Sequence, residues 1–262
     1  MENLFKIGFI SDLHTMHYQW EVKAFTAGYH GDLHSCDAIV FCGDLTSRGY
    51  KHEVHSFLEW YSEFAPGIKK FFIAGNHDFF FDSAYTSRRS PMRHNVPQEK
   101  IDIKENEIKG VLSEYPEIVY LNDSGFEYQG VKFWGSPVSP YFHDWAFNRY
   151  EDEIGVHWDM IPEDTDVLIT HTPPFEILDH LAPRFQRIDG KANAGCPLLR
   201  KRIEEVKPKV VSFGHIHEAY GIYPPISEGE VETVYVNASC LNEDYNPVNP
   251  PQFVKIKPKN WK

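Results

Sequence analysis

The sequence contains little cysteine, and its thiols show no paired spacing. The cysteines are Cys36, Cys42, Cys196 and Cys240. Thiolate zinc sites typically use closely spaced cysteine pairs, and disulfide frameworks occur in small cysteine-rich secreted domains; neither pattern occurs here. Cys42 lies within an apolar run, where a free thiol behaves as a small hydrophobic side chain. We therefore expect reduced thiols and a cytoplasmic protein, with neither a disulfide-stabilised fold nor a closed structural zinc site.

Long apolar runs and an excess of basic residues are also missing. No stretch approaches the roughly 20 apolar residues that span a membrane. The first apolar run ends directly at Asp12, which favours an initial β-strand over a signal peptide. The formal net charge is −12, so the surface offers no basic field for nucleic acid or an anionic membrane. A phosphate substrate stays compatible with this charge, because bound divalent cations would make a site locally positive.

The chain does contain a series of short apolar runs, each followed abruptly by polar residues. Their length and their β-branched and aromatic content favour strands over helices. The predicted strands are Leu4–Ile10, Ala38–Cys42, Phe71–Ala74, Ile118–Leu121, Val131–Trp134, Val167–Thr170, Val210–Phe213, Val231–Val236 and Phe253–Ile256.

Helical patterns lie between some of these strands. Apolar residues recur at helical spacing in Glu53–Phe64, and Pro197–Val206 begins with a proline that suits a first helical turn. Alternating strands and helices predict an α/β fold with a largely parallel sheet, to which the later strands add antiparallel pairing. Phe79–Lys100 is predicted to be a long surface loop. With 262 residues, the chain is long enough for a substantial core, and we expect a single domain over residues 1–262.

Polar motifs follow five of the predicted strands directly. Asp12 and His14 follow the first strand, Asp44 the second, Asn76, His77 and Asp78 the third, His171 the sixth, and His215 and His217 the seventh. In an open α/β sheet, ligands bind beside the carboxyl ends of the strands. We therefore expect these side chains to meet at one rim of the fold.

Each motif by itself has an ordinary structural explanation. Asp-x-His and Gly-Asp are common turn sequences, and Gly-Asn-His-Asp can form a turn closed by its asparagine. His171 could simply end a strand, and two histidines at alternate positions lie on one side of an extended segment whether or not they bind metal. Five such motifs, each at a strand end, are not explained by turns and indicate a shared metal site.

This set of side chains suits the hydrolysis of a phosphate ester. The ester's oxygens repel an anionic nucleophile, and two metal ions about 3.5–4 Å apart can neutralise that charge and activate a bridging water. A carboxylate can bridge the ions, while imidazoles and an amide oxygen complete the coordination without cancelling all of the charge. Mixed nitrogen and oxygen ligands suit Mn, Fe or Zn better than Ca. We expect a cofactor of two divalent metal ions.

The order Asp-x-His, Gly-Asp, Gly-Asn-His-Asp, a single His and Gly-His-x-His resembles the signature of the calcineurin-like metallophosphoesterases. This resemblance implies a four-layer α/β/β/α fold, in which two mixed β-sheets pack as a sandwich flanked by helices. It also implies a site at the carboxyl ends of the strands.

The resemblance further implies a role for each motif residue. Asp12, His14 and His217 would hold the first metal, Asp44 would bridge both metals, and Asn76, His171 and His215 would hold the second. His77 matches the histidine that contacts the transferring phosphoryl group, stabilising its charge or protonating the leaving oxygen. Asp78 matches the residue that orients this imidazole, where many relatives carry Glu. All of these positions are filled by residues competent for the chemistry.

A narrower resemblance covers most of the C-terminal half. The strings IPEDTDVLITHTPP, GHIHEAYGI, NAS and NPVNPP are similar to the metallophosphoesterase-domain-containing branch. That branch implies a small phosphodiesterase acting on model phosphodiesters and on 2′,3′- or 3′,5′-cyclic nucleotides. Some of its animal members carry Gly in place of the first histidine of the last motif, whereas this chain keeps His215, which predicts fuller occupancy of the second metal site. Thr15–Cys36 matches the branch poorly.

Several functions stay open at the level of sequence. The leading hypothesis is a phosphodiesterase in which a hydroxide bridging the metals attacks phosphorus in line. A phosphomonoesterase and a nuclease on the same centre are alternatives, and the acidic surface counts against the nuclease without excluding it. A non-catalytic scaffold that binds partner proteins is a further alternative, although such modules typically lose the catalytic histidine. The expected partner is a small phosphate ester, with no membrane.

Residues that would contact the substrate are less clearly marked. Arg48 follows Asp44 closely enough to contact a phosphate oxygen, and Arg184 and Arg187 are weaker candidates; each of them can equally be solvated. The aromatic residues Trp134, Tyr141, Phe142 and Trp145 either stack on a substrate group or pack a loop against the core. We favour packing, because large aromatic side chains are mostly buried.

Overall fold

Two mixed β-sheets form the centre of the fold. The computed structural model describes residues 4–84, 96–186, 192–224 and 233–257. In chain order the strands are β1 (Phe5–Ile10), β2 (Ala38–Phe41), β3 (Lys69–Phe72), β4 (Ile118–Tyr120), β5 (Ser124–Tyr128), β6 (Val131–Ser136), β7 (Ser139–Pro140), β8 (Asn148–Arg149), β9 (Val167–Thr170), β10 (Val210–Phe213), β11 (Gly221–Tyr223), β12 (Val234–Asn237) and β13 (Gln252–Ile256). The first sheet has the order β13-β1-β2-β3-β4, the second has the order β11-β12-β10-β9-β6-β5, and β7 pairs with β8.

The central strands of both sheets are parallel, and antiparallel strands lie at the edges. In the first sheet β1, β2, β3 and β4 run parallel, and β13 pairs antiparallel with β1. In the second sheet β6, β9, β10 and β12 run parallel, while β5 and β11 are antiparallel edge strands. The predicted combination of parallel βαβ units with later antiparallel pairing is confirmed.

Helices cover the outer face of each sheet. They are α1 (His17–Thr26), α2 (His30–His34), α3 (Lys51–Glu63), α4 (Gln98–Leu112), α5 (Glu151–Asp159) and α6 (Pro197–Val206). Side chains of α1, α3 and α4 pack on the first sheet, and side chains of α5 and α6 pack on the second. The layers are therefore α/β/β/α, as the resemblance implied.

Side chains that alternate between the two faces of a strand contribute to two different hydrophobic cores. Successive side chains of a strand point to opposite faces, so Phe71 faces the other sheet while Phe72 faces the helices. Phe71 stacks on Phe133 of β6 with ring centroids 4.3 Å apart. Fully buried aromatic pairs of this kind hold the two sheets together.

The structure extends the elements predicted from sequence and adds others. Each predicted apolar run contains or overlaps an observed strand; for Val231–Val236 the strand begins at Val234, and residues 231 and 232 lie outside the described part. Sequence patterns missed the edge strand β5, because its middle residues are exposed, and they missed α4, because only Ile108 and Val111 of its side chains are buried. The loop predicted over Phe79–Lys100 includes residues 85–95, which are outside the described part, and it ends earlier than expected because α4 begins at Gln98.

One glycine allows the sheets to approach closely near the rim. A Cβ atom on Gly135 of β6 would lie 2.4 Å from Leu121 Cβ and 2.7 Å from Ile73 Cγ2, both of which follow strands of the first sheet. Those contacts are too short for packed carbon atoms, so a side chain at this position would force the layers apart.

We predict that Gly135→Ala lowers the free energy of unfolding by about 1–3 kcal/mol, because the added methyl overpacks the space between the sheets. Gly110→Ala is the matched control. Gly110 lies in α4, and nothing lies within 4 Å of its added Cβ. The control should raise stability by about 0.5–1 kcal/mol, since alanine favours a helix over glycine. Urea unfolding of both variants checks this, and equal effects would contradict the close contact.

Candidate metal centre

Five loops at the carboxyl ends of strands converge on one rim. β1 is followed by Asp12 and His14, β2 by Asp44, β3 by Asn76 and His77, β9 by His171, and β10 by His215 and His217. Three of these strands belong to the first sheet and two to the second. The rim is therefore shared by both sheets, at the position that the motifs predicted.

The ligand atoms form three overlapping groups. Within each group, all ligand atoms lie within 4.8 Å of one another. The groups are Asp12, His14 and His217; His14, Asp44 and His77; and Asp44, His171 and His215. Asn76 joins the third group, because its Oδ1 lies 2.9 Å from His171 Nε2. Every side chain predicted as a metal ligand thus lies at the rim, and the groups are linked by shared residues.

Asp44 lies between the two ends of this assembly. Its Oδ2 is 3.6 Å from His14 Nε2 and 3.4 Å from His171 Nε2. Its Oδ1 accepts a hydrogen bond from the backbone N–H of His77 at 2.8 Å. One carboxylate oxygen therefore faces histidines from both ends of the site, as a bridging ligand requires.

Backbone carbonyls orient two of the imidazoles. His171 Nδ1 lies 2.9 Å from the carbonyl oxygen of Cys42, and His217 Nδ1 lies 3.0 Å from that of Asn242. A carbonyl oxygen only accepts, so Nδ1 carries the proton in both rings. The lone pair of neutral imidazole is then on Nε2, which faces the carboxylates. This arrangement is typical of histidines that ligate a metal.

Burial and mutual charge set the protonation of the site without a cation. Burial alone would raise the pKa of Asp12 and of Asp44, but neighbouring histidines outweigh it and hold both values below the ordinary range. Burial lowers the pKa of His14 and of His215 to about 3, so both rings are neutral. Although burial opposes it, the charge of Asp44 raises the pKa of His171 to about 9.

The donor set fits divalent transition metals. Asp12 and Asp44 are at most 2% exposed, and buried carboxylates need a compensating charge. His14 Nε2 and His217 Nε2 lie only 3.4 Å apart, so a proton or a cation is needed between two nitrogen lone pairs. Nitrogen and oxygen donors without thiolate suit Mn, Fe or Zn.

The loops at the rim also hold unusual backbone conformations. Asp12, His14, Asp44 and His215 have φ angles of 53°, 42°, 57° and 70°, in the left-handed region. Such residues store strain of about 1–3 kcal/mol each and concentrate at functional sites. Gly214 is required nearby, because a Cβ at this position would lie 2.0 Å from Asp12 Oδ2.

The Asp78 carboxylate is held by backbone groups of two neighbouring loops. It accepts hydrogen bonds from the backbone N–H groups of Leu45, Thr46 and Gly75, and from the hydroxyl of Thr46. It therefore joins the loops after β2 and β3. Burial, followed by the charge of Asp44, raises its pKa to about 7. None of these hydrogen bonds of the Asp78 carboxylate reaches the His77 ring, and the orienting role that the resemblance implies stays a prediction.

His77 is held by Ser47 and Trp145. His77 Nδ1 donates to the carbonyl oxygen of Ser47 at 2.8 Å, and its ring stacks on Trp145 with centroids 4.3 Å apart. With Nδ1 occupied, Nε2 is the ring nitrogen available to a substrate. Sequence reasoning missed Ser47, because a backbone carbonyl leaves no mark in a motif.

An open cleft of about 530 Å³ adjoins His77. Its lining consists of Ser47, Arg48, Tyr50, His77, Trp145 and Tyr245. Tyr245 reaches two of the candidate ligands, with its ring centroid 5.1 Å from those of both His14 and His217. Nothing in the sequence marked Tyr50 or Tyr245, because they lie in loops that the motifs do not include.

Some of the other candidates for substrate contact lie at the site, and others lie away from it. Arg48 lines the cleft, whereas Arg184 pairs with Asp244 at 2.7 Å, and Arg187 lies outside the described residues. Phe142 lies beside His215, with ring centroids 5.1 Å apart. Tyr141 stacks on Tyr150, and Trp134 packs on the core that α5 and α6 cover. Only part of the aromatic loop therefore reaches the site.

Across the residues that the structure describes, no helix combines the length and apolar character needed to cross a membrane.

Solved structures share this fold. The protein TT1561 of Thermus thermophilus superposes with a TM-score of 0.54 and 16% identity, covering 90% of this chain and 89% of that one. A phosphopantetheinyl hydrolase of Mycobacterium tuberculosis superposes with a TM-score of 0.54 and 14% identity, covering 98% of both chains. At these identities the likeness shows the fold alone.

Sequence comparisons show the family. The human metallophosphoesterase domain-containing protein 1 is 34% identical over 227 residues, covering 86% of this chain but 66% of that protein, which is just under two thirds of its length. UPF0046 protein K07C11.7 of Caenorhabditis elegans is 30% identical over 224 residues, covering 82% of this chain and 68% of that protein. The sequence model of the calcineurin-like phosphoesterases matches residues 5–219. The chain belongs to the calcineurin-like phosphoesterase family.

Proposed function

We propose that the protein is a phosphodiesterase that depends on two divalent metal ions and acts on small phosphodiesters or cyclic nucleotides. The observation that carries this proposal is the place of Asp44, whose Oδ2 faces His14 and His171 at 3.6 and 3.4 Å. A carboxylate placed between two groups of imidazoles can bridge two metal ions, which supports a two-metal site.

The ligands divide between the two ions around this carboxylate. We assign Asp12, His14 and His217 to the first ion, Asn76, His171 and His215 to the second, and Asp44 to both. Bound ions of Mn, Fe or Zn would activate a water and neutralise charge on the phosphoryl oxygens. Both sheets supply ligands, which supports treating residues 1–262 as a single catalytic domain. The four buried free cysteines support a reducing, cytoplasmic setting.

His77 and Arg48 act on the substrate in this proposal. His77 Nε2 faces away from the Ser47 carbonyl and can contact a phosphoryl oxygen or the leaving oxygen. Arg48 lies at the wall of the same cleft and can pair with a phosphate oxygen. His77 and every metal-binding position are filled by competent residues, which argues against a scaffold that has lost catalysis.

The cleft favours a diester over a monoester. Its described lining contains one arginine and no lysine, together with Tyr50, Trp145 and Tyr245. A diester carries a single negative charge and two organic groups, whereas a monoester carries additional charge at neutral pH. The aromatic walls offer apolar contact to a second ester group. The branch that the sequence resembles implies the same substrate class.

We predict that metal-stripped protein regains hydrolysis of bis(p-nitrophenyl) phosphate when Mn is added, and that Asp44→Asn lowers this restored rate by about 100-fold or more. The loss is expected because a neutral amide cannot bridge two cations. Asp166→Asn is the matched control. Asp166 is 1% exposed, and it precedes β9 at the end opposite His171. This control should keep most of the activity.

Rates on p-nitrophenyl phosphate, measured in parallel, separate the two ester classes. Faster turnover of the diester supports the proposal, whereas faster turnover of the monoester would indicate a phosphomonoesterase on the same centre. Binding of two Mn ions without turnover of either ester would contradict catalysis and favour the scaffold.

We predict that Trp145→Leu lowers kcat by about 2- to 13-fold, since stacking of about 0.5–1.5 kcal/mol holds the His77 ring and each 1.36 kcal/mol corresponds to a factor of ten. Trp145→Phe should retain most of kcat, because a flat ring remains. Tyr141→Leu removes an aromatic ring that stacks on Tyr150 instead, and it should have little effect.

Steady-state kinetics on bis(p-nitrophenyl) phosphate, together with Mn titration, check the role of Trp145. We expect kcat to fall while Mn binding is unchanged. An unchanged kcat, or a loss explained entirely by weaker Mn binding, would show that Trp145 does not position His77.

A further inference from the structure

The segment Asn237-Ala238-Ser239 crosses from one sheet to the other at the rim of the site. Asn237 ends β12, and the backbone N–H of Ala238 donates to the carbonyl of Phe213 in β10 at 2.8 Å. Ser239 then forms a parallel bridge with Ser11, which follows β1. This segment therefore lies against the two strands whose ends carry Asp12 and His215.

Ser239 contacts the carboxylate of Asp12 directly. Both residues are fully buried, and Ser239 Oγ lies 2.9 Å from Asp12 Oδ2. The same hydroxyl lies 2.9 Å from Asn237 Oδ1, and it has only one proton to donate. An ionised carboxylate is the stronger acceptor. The hydroxyl proton is therefore directed to Asp12.

The Asn237 amide turns its oxygen, and not its nitrogen, toward Ser239. Its Nδ2 donates to the carbonyls of Ile216 at 2.9 Å and Leu178 at 3.2 Å. Both amide protons are used there, so Oδ1 faces Ser239, where it also accepts the Ser239 backbone N–H at 3.2 Å. Asn237 thus holds the backbone between His215 and His217 while it fixes Ser239.

Fixing Asp12 Oδ2 determines which oxygen faces the histidines. Asp12 Oδ1 lies 3.6 Å from His217 Nε2, on the side of the first ligand group. The backbone N–H of His215 contacts both carboxylate oxygens, at 3.0 and 3.1 Å, and so does not select between them. Ser239 bonds to one oxygen alone, which leaves Oδ1 for a metal.

We propose that Asn237 and Ser239 are positioning residues for the first metal ion. Ser239 orients the Asp12 carboxylate, and Asn237 couples this carboxylate to the loop that carries His215 and His217. This inference rests on the proposed two-metal function. It assigns a role to the NAS string, which the proposed catalytic residues do not include.

The test is a titration of Mn into metal-stripped protein, in which calorimetry measures the affinity of each Mn site. Ser239→Ala should weaken Mn binding at one of two sites by about 10–100-fold, the usual effect of removing a hydrogen bond to a metal ligand. A His171→Ala background, which removes a ligand of the second site, assigns the weakened site to the first ion. In this background Ser239→Ala should weaken the remaining binding event.

Ser136→Ala is the matched control. Ser136 is also fully buried, and its hydroxyl donates to a carboxylate, Asp123 Oδ1, at 2.6 Å, but this pair is not among the ligand groups. The control loses the same kind of hydrogen bond and should leave both Mn affinities unchanged. Ser239→Cys keeps the side-chain size with a weaker donor, and it should also weaken binding if the alanine variant folds poorly.

The outcomes separate the two proposals. Unchanged Mn binding in folded Ser239→Ala and Ser239→Cys, or equal weakening by Ser136→Ala, would overturn the positioning role. If wild-type protein binds two ions but hydrolyses neither ester, the proposed function fails, and weakened Mn binding in Ser239→Ala still supports the positioning role. If wild-type protein binds no more than one ion, both proposals fail.

Discussion

Two carboxylates buried side by side impose the main physical constraint on this structure. Asp12 and Asp44 are removed from water at the rim between the sheets, and an isolated buried charge is strongly unfavourable. Histidines and backbone N–H groups supply part of the compensation, and the shifts in pKa show that both carboxylates stay ionised. Divalent cations would complete the compensation of this buried charge. The same two carboxylates therefore affect both the stability and the function of the protein.

The fold meets this constraint by joining the ends of two sheets. The candidate ligands come from both sheets. Asp12, His14, Asp44 and Asn76 follow strands of the first sheet, and the remaining candidate histidines follow strands of the second. The layers must therefore meet closely and in a fixed register. Stacking of Phe71 on Phe133 fixes the layers away from the rim. Glycines without side chains, and loops with left-handed backbone, let the chain pass close to the carboxylates.

Sequence patterns predicted which side chains meet at the rim, because the motifs depend on side-chain type and on position after an apolar run. The positions of Asp44 and His171 follow from the carboxyl ends of parallel strands meeting at one edge. The same patterns missed edge strands and exposed helices such as β5 and α4, where few side chains are buried. Hydrophobic periodicity marks an element only where one of its faces is buried.

Contacts between site residues and backbone groups could not be predicted from the sequence. The carbonyl of Ser47 orients His77, and the backbone N–H groups of Leu45 and Gly75 donate to Asp78, and neither set of contacts could be read from the motif. Tyr245 enters the site from a loop outside the motifs and carries no signature of its own. Such contacts depend on how distant loops pack, which no local spacing records.

A crystal structure of Mn-loaded protein, with the ions located by anomalous scattering, tests the central claim most directly. We predict two Mn peaks about 3.5–4 Å apart, both coordinated by the carboxylate of Asp44. One peak near Asp12 should share His14 and His217, and the other should share Asn76, His171 and His215. A single ion, or two ions that do not share Asp44, would contradict the two-metal centre.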